Sequence, residues 1–131
     1  MTNPSEHEIQ GAIIDLIRVR GGVVTRVNSG SMIAKSGDRA YRVQLADKGT
    51  SDVIALYKGV YLAIEVKGAK GKASDEQIEF LQRVSKCGGI GILAYDSVIV
   101  ESVMDGIDNG AKGEDWYDYF TGNMKNKFFV E

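Results

Sequence analysis

The sequence predicts an α/β protein in which one mixed β-sheet is flanked by helices on both faces. Segments with apolar residues at helical spacing lie on either side of a block of four strand-like segments, and a fifth strand-like segment follows the second helix. The last two strands of the block are apolar along nearly their whole length, which is typical of strands buried on both faces. The predicted order is helix, four strands, helix, strand, helix.

The first helix is predicted to begin at Ser5 and to end at Gly21-Gly22. Its apolar residues share one helical face: Ile9, Ala12, Ile13, Leu16 and Ile17. Strand-like segments follow at residues 23–28 and 41–45. The segment between them is rich in Gly and Ser and is predicted to be a loop.

Residues 49–68, GTSDVIALYKGVYLAIEVKG, predict a β-hairpin with a two-residue turn at Lys58-Gly59. A second helix is predicted to begin at Ser74 and to end near Gly88-Gly89, and a short buried strand follows at 90–95. A third helix is expected from Asp96 or Ser97, with a strand as the alternative because the segment is rich in β-branched residues.

Composition narrows the class of protein. A chain of 131 residues without a repeat or linker suits a single domain over residues 1–131. The net charge of −2 disfavours indiscriminate binding to nucleic acid or membranes. The segment from Arg18 to Lys48 is nevertheless basic, with seven basic and two acidic residues. One cysteine, no long apolar run and a polar N-terminus predict a cytoplasmic protein without a membrane partner.

Three charged side chains lie in the otherwise apolar strands of the hairpin: Asp52, Glu65 and Lys67. With a turn at Lys58-Gly59, the register places Asp52 directly opposite Glu65, with Cβ atoms about 4.5 to 5.5 Å apart. Lys67 lies two residues after Glu65 and therefore points to the same face of the sheet. Two facing carboxylates repel each other, and a divalent cation can satisfy both. Hard oxygen ligands favour Mg²⁺ or Mn²⁺.

The hypothesis is that Asp52 and Glu65 ligate the metal, with the backbone carbonyl of Val66 as a further ligand. Lys67 would then hold or deprotonate an attacking water. Because magnesium sites keep several waters and act together with substrate phosphates, the implied reaction is phosphodiester hydrolysis. The alternative is a structural ion pair at a sheet edge, with Asp52 capping a turn.

Other chemistries lack their parts in this sequence. A single histidine, His7, does not suffice for histidine-based metal nucleases or zinc hydrolases. Gly71-Lys72 lacks the upstream glycine of a P-loop, and the glycines at 89 and 91 precede a strand instead of following one. No nucleotide cofactor is expected.

Asp52, a gap of twelve residues and then Glu65-Val66-Lys67 resembles the PD-(D/E)XK nuclease signature. With its neighbouring motifs, the chain resembles the VRR-NUC family, the virus-type replication-repair nucleases, over about residues 5–107. Those motifs are SEHEIQGAIIDLI, RVNSG, KGTSDVIAL, AIEVKGAKGKASDEQIEFL and CGGIGILAY. The family's Gly-x-Pro-Asp is here Gly49-Thr50-Ser51-Asp52, so the proline is missing.

The resemblance implies a restriction-endonuclease-like core and a Mg²⁺- or Mn²⁺-dependent, structure-selective DNA endonuclease active in DNA repair. Stand-alone viral members imply a homodimer in the host cytoplasm that cleaves branched DNA such as four-way (Holliday) junctions. Residues 108–131 have no counterpart and are a candidate dimer contact. The alternatives are a nuclease acting on RNA or duplex ends, and a non-catalytic nucleic-acid-binding module with the same fold.

Matching positions also imply that Glu8 and Gln77 are accessory active-site residues. Glu8 is a further candidate metal ligand, and Glu6 would take its place if the helix register differs. Glu8 and Gln77 also fit capping boxes, as Ser5-x-x-Glu8 and Ser74-x-x-Gln77. Polar and basic residues near the predicted site are candidates for nucleic-acid contact. They are Arg26, Asn28, Lys35, Arg39, Lys70 and Lys72.

Overall fold

The structure, a computed structural model, describes residues 3–28 and 30–110. In chain order, their helices and strands are α1 (Glu6–Val19), β1 (Val23–Arg26), β2 (Ser31–Ser36), β3 (Arg39–Gln44), β4 (Val53–Tyr57), β5 (Val60–Val66), α2 (Asp75–Lys86), β6 (Ile90–Ala94) and α3 (Val98–Asp108). The candidate dimer contact from residue 111 onward lies outside the described residues.

Four strands form the main sheet, in the order β1-β4-β5-β6. β1 and β5 pair antiparallel with β4, whereas β6 pairs parallel with β5. The sheet is therefore mixed, as predicted. The parallel pair requires a crossover connection, which α2 supplies.

The central hairpin has the predicted register. Its turn, Lys58-Gly59, has φ angles of 48° and 81°, the left-handed conformation at both positions that defines a type I′ turn. The ladder ends with Val53 opposite Ile64. One step further along both strands, Asp52 lies opposite Glu65.

The prediction of a loop between β1 and β3 is wrong. β2 pairs with β3 along its whole length, from Ser31 opposite Gln44 to Ser36 opposite Arg39, and forms a separate two-stranded sheet. The block between the first two helices therefore contains five strands instead of four. Because β2 is largely exposed, its sequence lacks the continuous apolar run of a buried strand. The strand predicted at 23–28 ends at residue 26, and the one predicted at 41–45 spans 39–44.

Helices cover both faces of the main sheet, as predicted. Buried residues of α1 and α3 share one core with alternate residues of β5, namely Leu62, Ile64 and Val66. The intervening residues of β5 face α2. On that side, a Cβ at Gly91 would lie 2.4 Å from the carbonyl oxygen of Leu81, so this glycine lets the α2 backbone approach β6 closely.

The third helix forms as expected, and the alternative of a strand is excluded. Asp96 begins it by accepting hydrogen bonds at Oδ1 from the backbone N–H groups of Val98 at 3.0 Å and Ile99 at 3.4 Å. Within the described part of the chain, the helices are too short or too polar to cross a membrane.

Candidate active site

Two carboxylates meet on the face of the sheet that α2 covers. Glu65 is the sixth residue of β5 and is only 1% exposed, whereas Asp52 directly precedes β4 and is half-buried. The backbone N–H of Val66 donates a hydrogen bond to Asp52 Oδ2 at 2.9 Å, which fixes the Asp52 side chain against the neighbouring strand. The Asp52 carboxyl is close enough to Glu65 to raise the pKa of Glu65 by its charge and by hydrogen bonding. The structure thus confirms the predicted juxtaposition.

The two oxygens of Glu65 differ in their surroundings. Oε2 accepts a hydrogen bond from Gln77 Nε2 at 3.0 Å and forms an ion pair with Lys67 Nζ at 3.3 Å. Oε1 is buried and has no hydrogen-bond partner among the described residues. Buried oxygens are normally paired because an unpaired one costs about 1–3 kcal/mol. Among the described residues, Oε1 thus differs from Oε2 in having no hydrogen-bond donor.

The protonation of Glu65 follows from these surroundings. Burial, and secondly the charge of Asp52, raise the pKa of Glu65 to about 8, against the opposing effect of Lys67. At neutral pH the Glu65 carboxyl is therefore mostly protonated, and its proton can bridge to Asp52. A cation between the two carboxylates would do electrostatically what this proton does.

The backbone, the aliphatic stem and the ammonium group of Lys67 each have contacts that hold the residue beside the carboxylate pair. Its backbone N–H donates to the carbonyl of Ala94 at 2.9 Å, which ties the end of β5 to β6. A Cβ at Gly71 would lie 3.2 Å from Lys67 Cβ and 3.3 Å from Cδ, so the following loop packs against the lysine stem. The side chain is 14% exposed, and its ammonium group contacts Glu65.

Tyr95 supports the same loop and was not singled out in the sequence. Its hydroxyl donates a hydrogen bond to the carbonyl of Gly71 at 3.1 Å. The signal that could have found it is its position directly after β6, since the carboxyl ends of the parallel strands β5 and β6 lie at the same edge of the sheet. Tyr95 therefore holds the loop that packs against Lys67.

The backbone of Val66 faces Asp52. Along a strand, the N–H and C=O of one residue point to the same neighbouring strand, and the N–H of Val66 already contacts Asp52. Its carbonyl therefore lies on the Asp52 side of β5, where the predicted ligand role requires it.

Gln77 forms the predicted cap and also contacts Glu65, while its role in catalysis stays a prediction. Its Oε1 accepts a hydrogen bond from the backbone N–H of Ser74 at 2.8 Å and completes the capping box of α2. Its Nε2 donates to Glu65 Oε2 at 3.0 Å. Because the cap occupies the amide oxygen, the amide nitrogen is directed toward Glu65.

Glu8 lies in the capping box of α1. Its Oε1 accepts from the backbone N–H of Ser5 at 3.1 Å, while its own N–H donates to Ser5 Oγ at 3.0 Å. These hydrogen bonds lower the pKa of the exposed Glu8 carboxyl. The first turn of α1 is close to the end of β5, since a Cβ at Gly68 would lie 3.8 Å from the nitrogen of Glu6. The capping role is confirmed, and the catalytic role stays a prediction.

The candidates for nucleic-acid contact fall into two groups. Arg26 and Asn28 are engaged within the protein: Arg26 Nε donates to Gln10 Oε1 at 2.6 Å, and Asn28 Oδ1 accepts from the N–H of Gly30 at 3.0 Å. All six residues are exposed, as contact with a polymer requires. Lys70 and Lys72 lie in the loop after β5, and Lys35 and Arg39 lie on β2 and β3 instead of in a loop.

The described residues contain no larger cluster of metal-binding side chains. Among residues 3–28 and 30–110, no group of three or more His, Cys, Asp or Glu side chains is arranged to hold a metal ion. A magnesium site of the kind that uses one or two carboxylates plus substrate phosphates needs no larger group.

Comparison with protein-family models gives no match for this chain, and comparison with curated proteins gives no significant match. The geometry of the site therefore carries the functional argument.

Proposed function

We propose that this protein is a Mg²⁺- or Mn²⁺-dependent phosphodiesterase that cleaves DNA, with Asp52, Glu65 and Lys67 as its central residues and a restriction-endonuclease-like core. The observation that carries the proposal is the buried, unpartnered Oε1 of Glu65 within reach of a second carboxylate. Lys67 and Gln77 both contact Oε2, so Oε1 has no donor of its own among the described residues and is satisfied only by a proton shared with Asp52 or by a cation.

The groups around the pair fit a hard divalent cation. Asp52 and Glu65 supply carboxylate oxygens, and the carbonyl of Val66 lies on the same side of the strand. These are the ligand types that Mg²⁺ and Mn²⁺ prefer. When bound, the metal would polarise the phosphate and lower the pKa of a water.

The protein's own groups have separate tasks in this proposal. Gln77 and Lys67 both contact Oε2 of Glu65, which leaves Oε1 free to turn toward the metal. Lys67 places an ammonium group next to the metal ligands, where it can hold the attacking water or a phosphate oxygen. Helix α2 excludes bulk water from Glu65 and so strengthens each of these interactions.

Metal-dependent cleavage and metal-dependent stability together test the proposal. With Mg²⁺ or Mn²⁺, the wild type should cleave labelled DNA and its melting temperature should rise, and EDTA should abolish both effects. Lys67→Ala should lose cleavage by about 100-fold or more while still gaining stability from the metal. Metal binding by Asp52→Ala equal to that of the wild type would overturn the assignment.

The finer proposal, a homodimer that cleaves four-way junctions, is supported by the resemblance to VRR-NUC proteins. A panel of duplex, flap, single-stranded and four-way DNA tests it, with an RNA duplex included for the alternative substrate. We expect the fastest cleavage on the four-way substrate and a dimer in sedimentation at micromolar concentration. Equal rates on duplex ends and junctions, or a monomer, would contradict it.

A further inference from the structure

The two-stranded sheet of residues 31–44, here called the ribbon, stands apart from the main sheet. Its strands pair with each other and with none of the other described strands. An isolated two-stranded hairpin is marginally stable in water. Side chains that are usually buried are half exposed on it, with Met32 at 51%, Ile33 at 55% and Tyr41 at 52%. The ribbon thus presents a surface suited to a partner.

The ribbon is positively charged on both faces. By strand alternation and pairing, Lys35 and Arg42 lie on one face, whereas Arg39 lies on the other with Met32 and Tyr41. The only acidic residue of the ribbon is in its turn, at position 38. The chain as a whole has a net charge of −2, so the ribbon departs from the charge of the rest of the protein.

Both connections of the ribbon lead to the carboxylate pair. The chain enters it from β1, after Val27 donates its N–H to the carbonyl of Asp52 at 2.8 Å. At the base, the N–H of Leu45 donates to the carbonyl of Gly30 at 3.0 Å. The chain leaves it toward Asp52, which precedes β4. A polymer bound along the ribbon would therefore be close to the proposed active site.

We propose that the ribbon lies in the major groove of duplex DNA and positions the duplex for cleavage, an inference that rests on the proposed function for its choice of polymer. The major groove, about 12 Å wide, admits a two-stranded ribbon. Its two walls of phosphates would meet the cations on the two faces, whereas a protein docked on one face would leave the opposite cations unused. The major groove of an RNA duplex is too deep and narrow to admit the ribbon, so the ribbon selects DNA over RNA.

A DNA-binding assay without metal tests the ribbon independently of cleavage. Wild type, the triple variant Lys35→Gln/Arg39→Gln/Arg42→Gln and a matched control would be titrated in EDTA against a short fluorescent DNA duplex at several salt concentrations. The control is a triple Gln variant of exposed basic residues away from the ribbon: Arg18, Arg83 and Lys86. We expect the ribbon variant to bind about 10-fold or more weakly, with a salt slope smaller by about 3, and the control to bind within about twofold of wild type.

Each outcome bears on the proposal. Circular dichroism and melting check the fold, and Lys35→Gln alone should reduce the salt slope by about 1. DNA affinity of the triple variant equal to wild type, or equal binding of wild type to an RNA duplex, would overturn the ribbon assignment. So would a dimer that Met32→Asp dissociates without loss of DNA affinity, since the ribbon would then bind a second copy. Ribbon-dependent binding without metal-dependent cleavage would leave this inference standing and refute the proposed nuclease.

Discussion

Two carboxylates at opposite ends of the central hairpin show opposite electrostatics. Glu65, near the open end, is buried beside another carboxylate, and its pKa is raised to about 8. Asp108, at the end of α3, lies by the hairpin turn among donors, and its pKa is lowered to about 2. Burial dominates the first shift and hydrogen bonds dominate the second.

The contacts of Asp108 join three parts of the chain. Oδ1 contacts Lys58 Nζ at 2.5 Å and accepts from the Tyr57 hydroxyl at 2.7 Å, while Oδ2 pairs with Arg20 at 2.6 Å. Arg20 also pairs with Asp105 at 2.9 Å. The cluster thus links the end of α1, the hairpin turn and the end of α3.

The difference separates a structural carboxylate from a candidate ligand. Asp108 has a donor at each oxygen and needs nothing further. Glu65 has donors at Oε2 alone, so its second oxygen and the facing Asp52 need a proton or a cation. Variants at the two carboxylates test whether Glu65 has a role in cleavage and Asp108 a role in stability alone.

The largest expected effect is that of Glu65→Gln, which removes the charge at nearly constant shape. Cleavage should fall by about 100-fold or more, and the metal-dependent rise in melting temperature should disappear. Without metal the variant should be at least as stable as wild type at pH 8, because Asp52 then faces a neutral amide instead of a second carboxylate. Activity assays and melting curves measure both effects, with the exposed α2 carboxylate variant Glu79→Gln as control. Wild-type metal response in Glu65→Gln would break the comparison.

The variant Gln77→Glu separates the two contacts of this side chain, the cap at Ser74 and the hydrogen bond to Glu65. A glutamate keeps the acceptor for the Ser74 N–H but replaces the donor to Glu65 with a second negative charge. We expect cleavage to fall by about 10-fold at neutral pH, and its pH dependence to shift upward because the pKa of Glu65 rises further. An unchanged pH profile would assign Gln77 to capping alone.

The stability of the metal-free protein should fall as pH rises from about 4.5 to about 8. In the unfolded chain Glu65 ionises near 4.5, whereas in the folded protein it keeps its proton until about 8. The folded state therefore binds the extra proton within this window, and stability decreases with rising pH. We expect the melting temperature to fall by several degrees, and Mg²⁺ or Mn²⁺ to restore it most at the alkaline end. The fall in melting temperature between pH 4.5 and 8 should disappear in Glu65→Gln. If the fall persists in that variant, other titratable groups cause it.

Asp108→Asn should have the smallest effect, confined to stability. The melting temperature at pH 7 should drop by a few degrees, since Lys58 and Arg20 lose their shared anion. The wild-type contribution is present above about pH 4 and is lost as pH falls toward 2, because the pKa of Asp108 in the folded protein lies below its value of 3.8 in the unfolded chain. Acid melts of both proteins measure this, and cleavage at neutral pH should be unchanged. A loss of cleavage would contradict the structural role assigned to this end of the hairpin.

Local patterns determined much of the site. A two-residue turn sets the register of a hairpin, so Lys58-Gly59 places Asp52 opposite Glu65 without reference to the rest of the chain. Alternation along β5 then places Lys67 on the face of Glu65. The capping boxes of α1 and α2 were likewise evident from their spacing. These features depend on residues that are close in sequence or joined by a short turn.

Tertiary structure decided what depends on distant contacts. Whether Gln77 caps a helix, contacts Glu65 or does both depends on how α2 packs across the sheet. The Tyr57 and Asp108 pair joins residues far apart in the chain, which no periodicity encodes. β2 was missed because its exposed pairing with β3 needs no apolar pattern. The sequence alone placed two carboxylates opposite each other, whereas burial under α2, which raises the pKa of Glu65 and leaves Oε1 unpaired, required the folded chain.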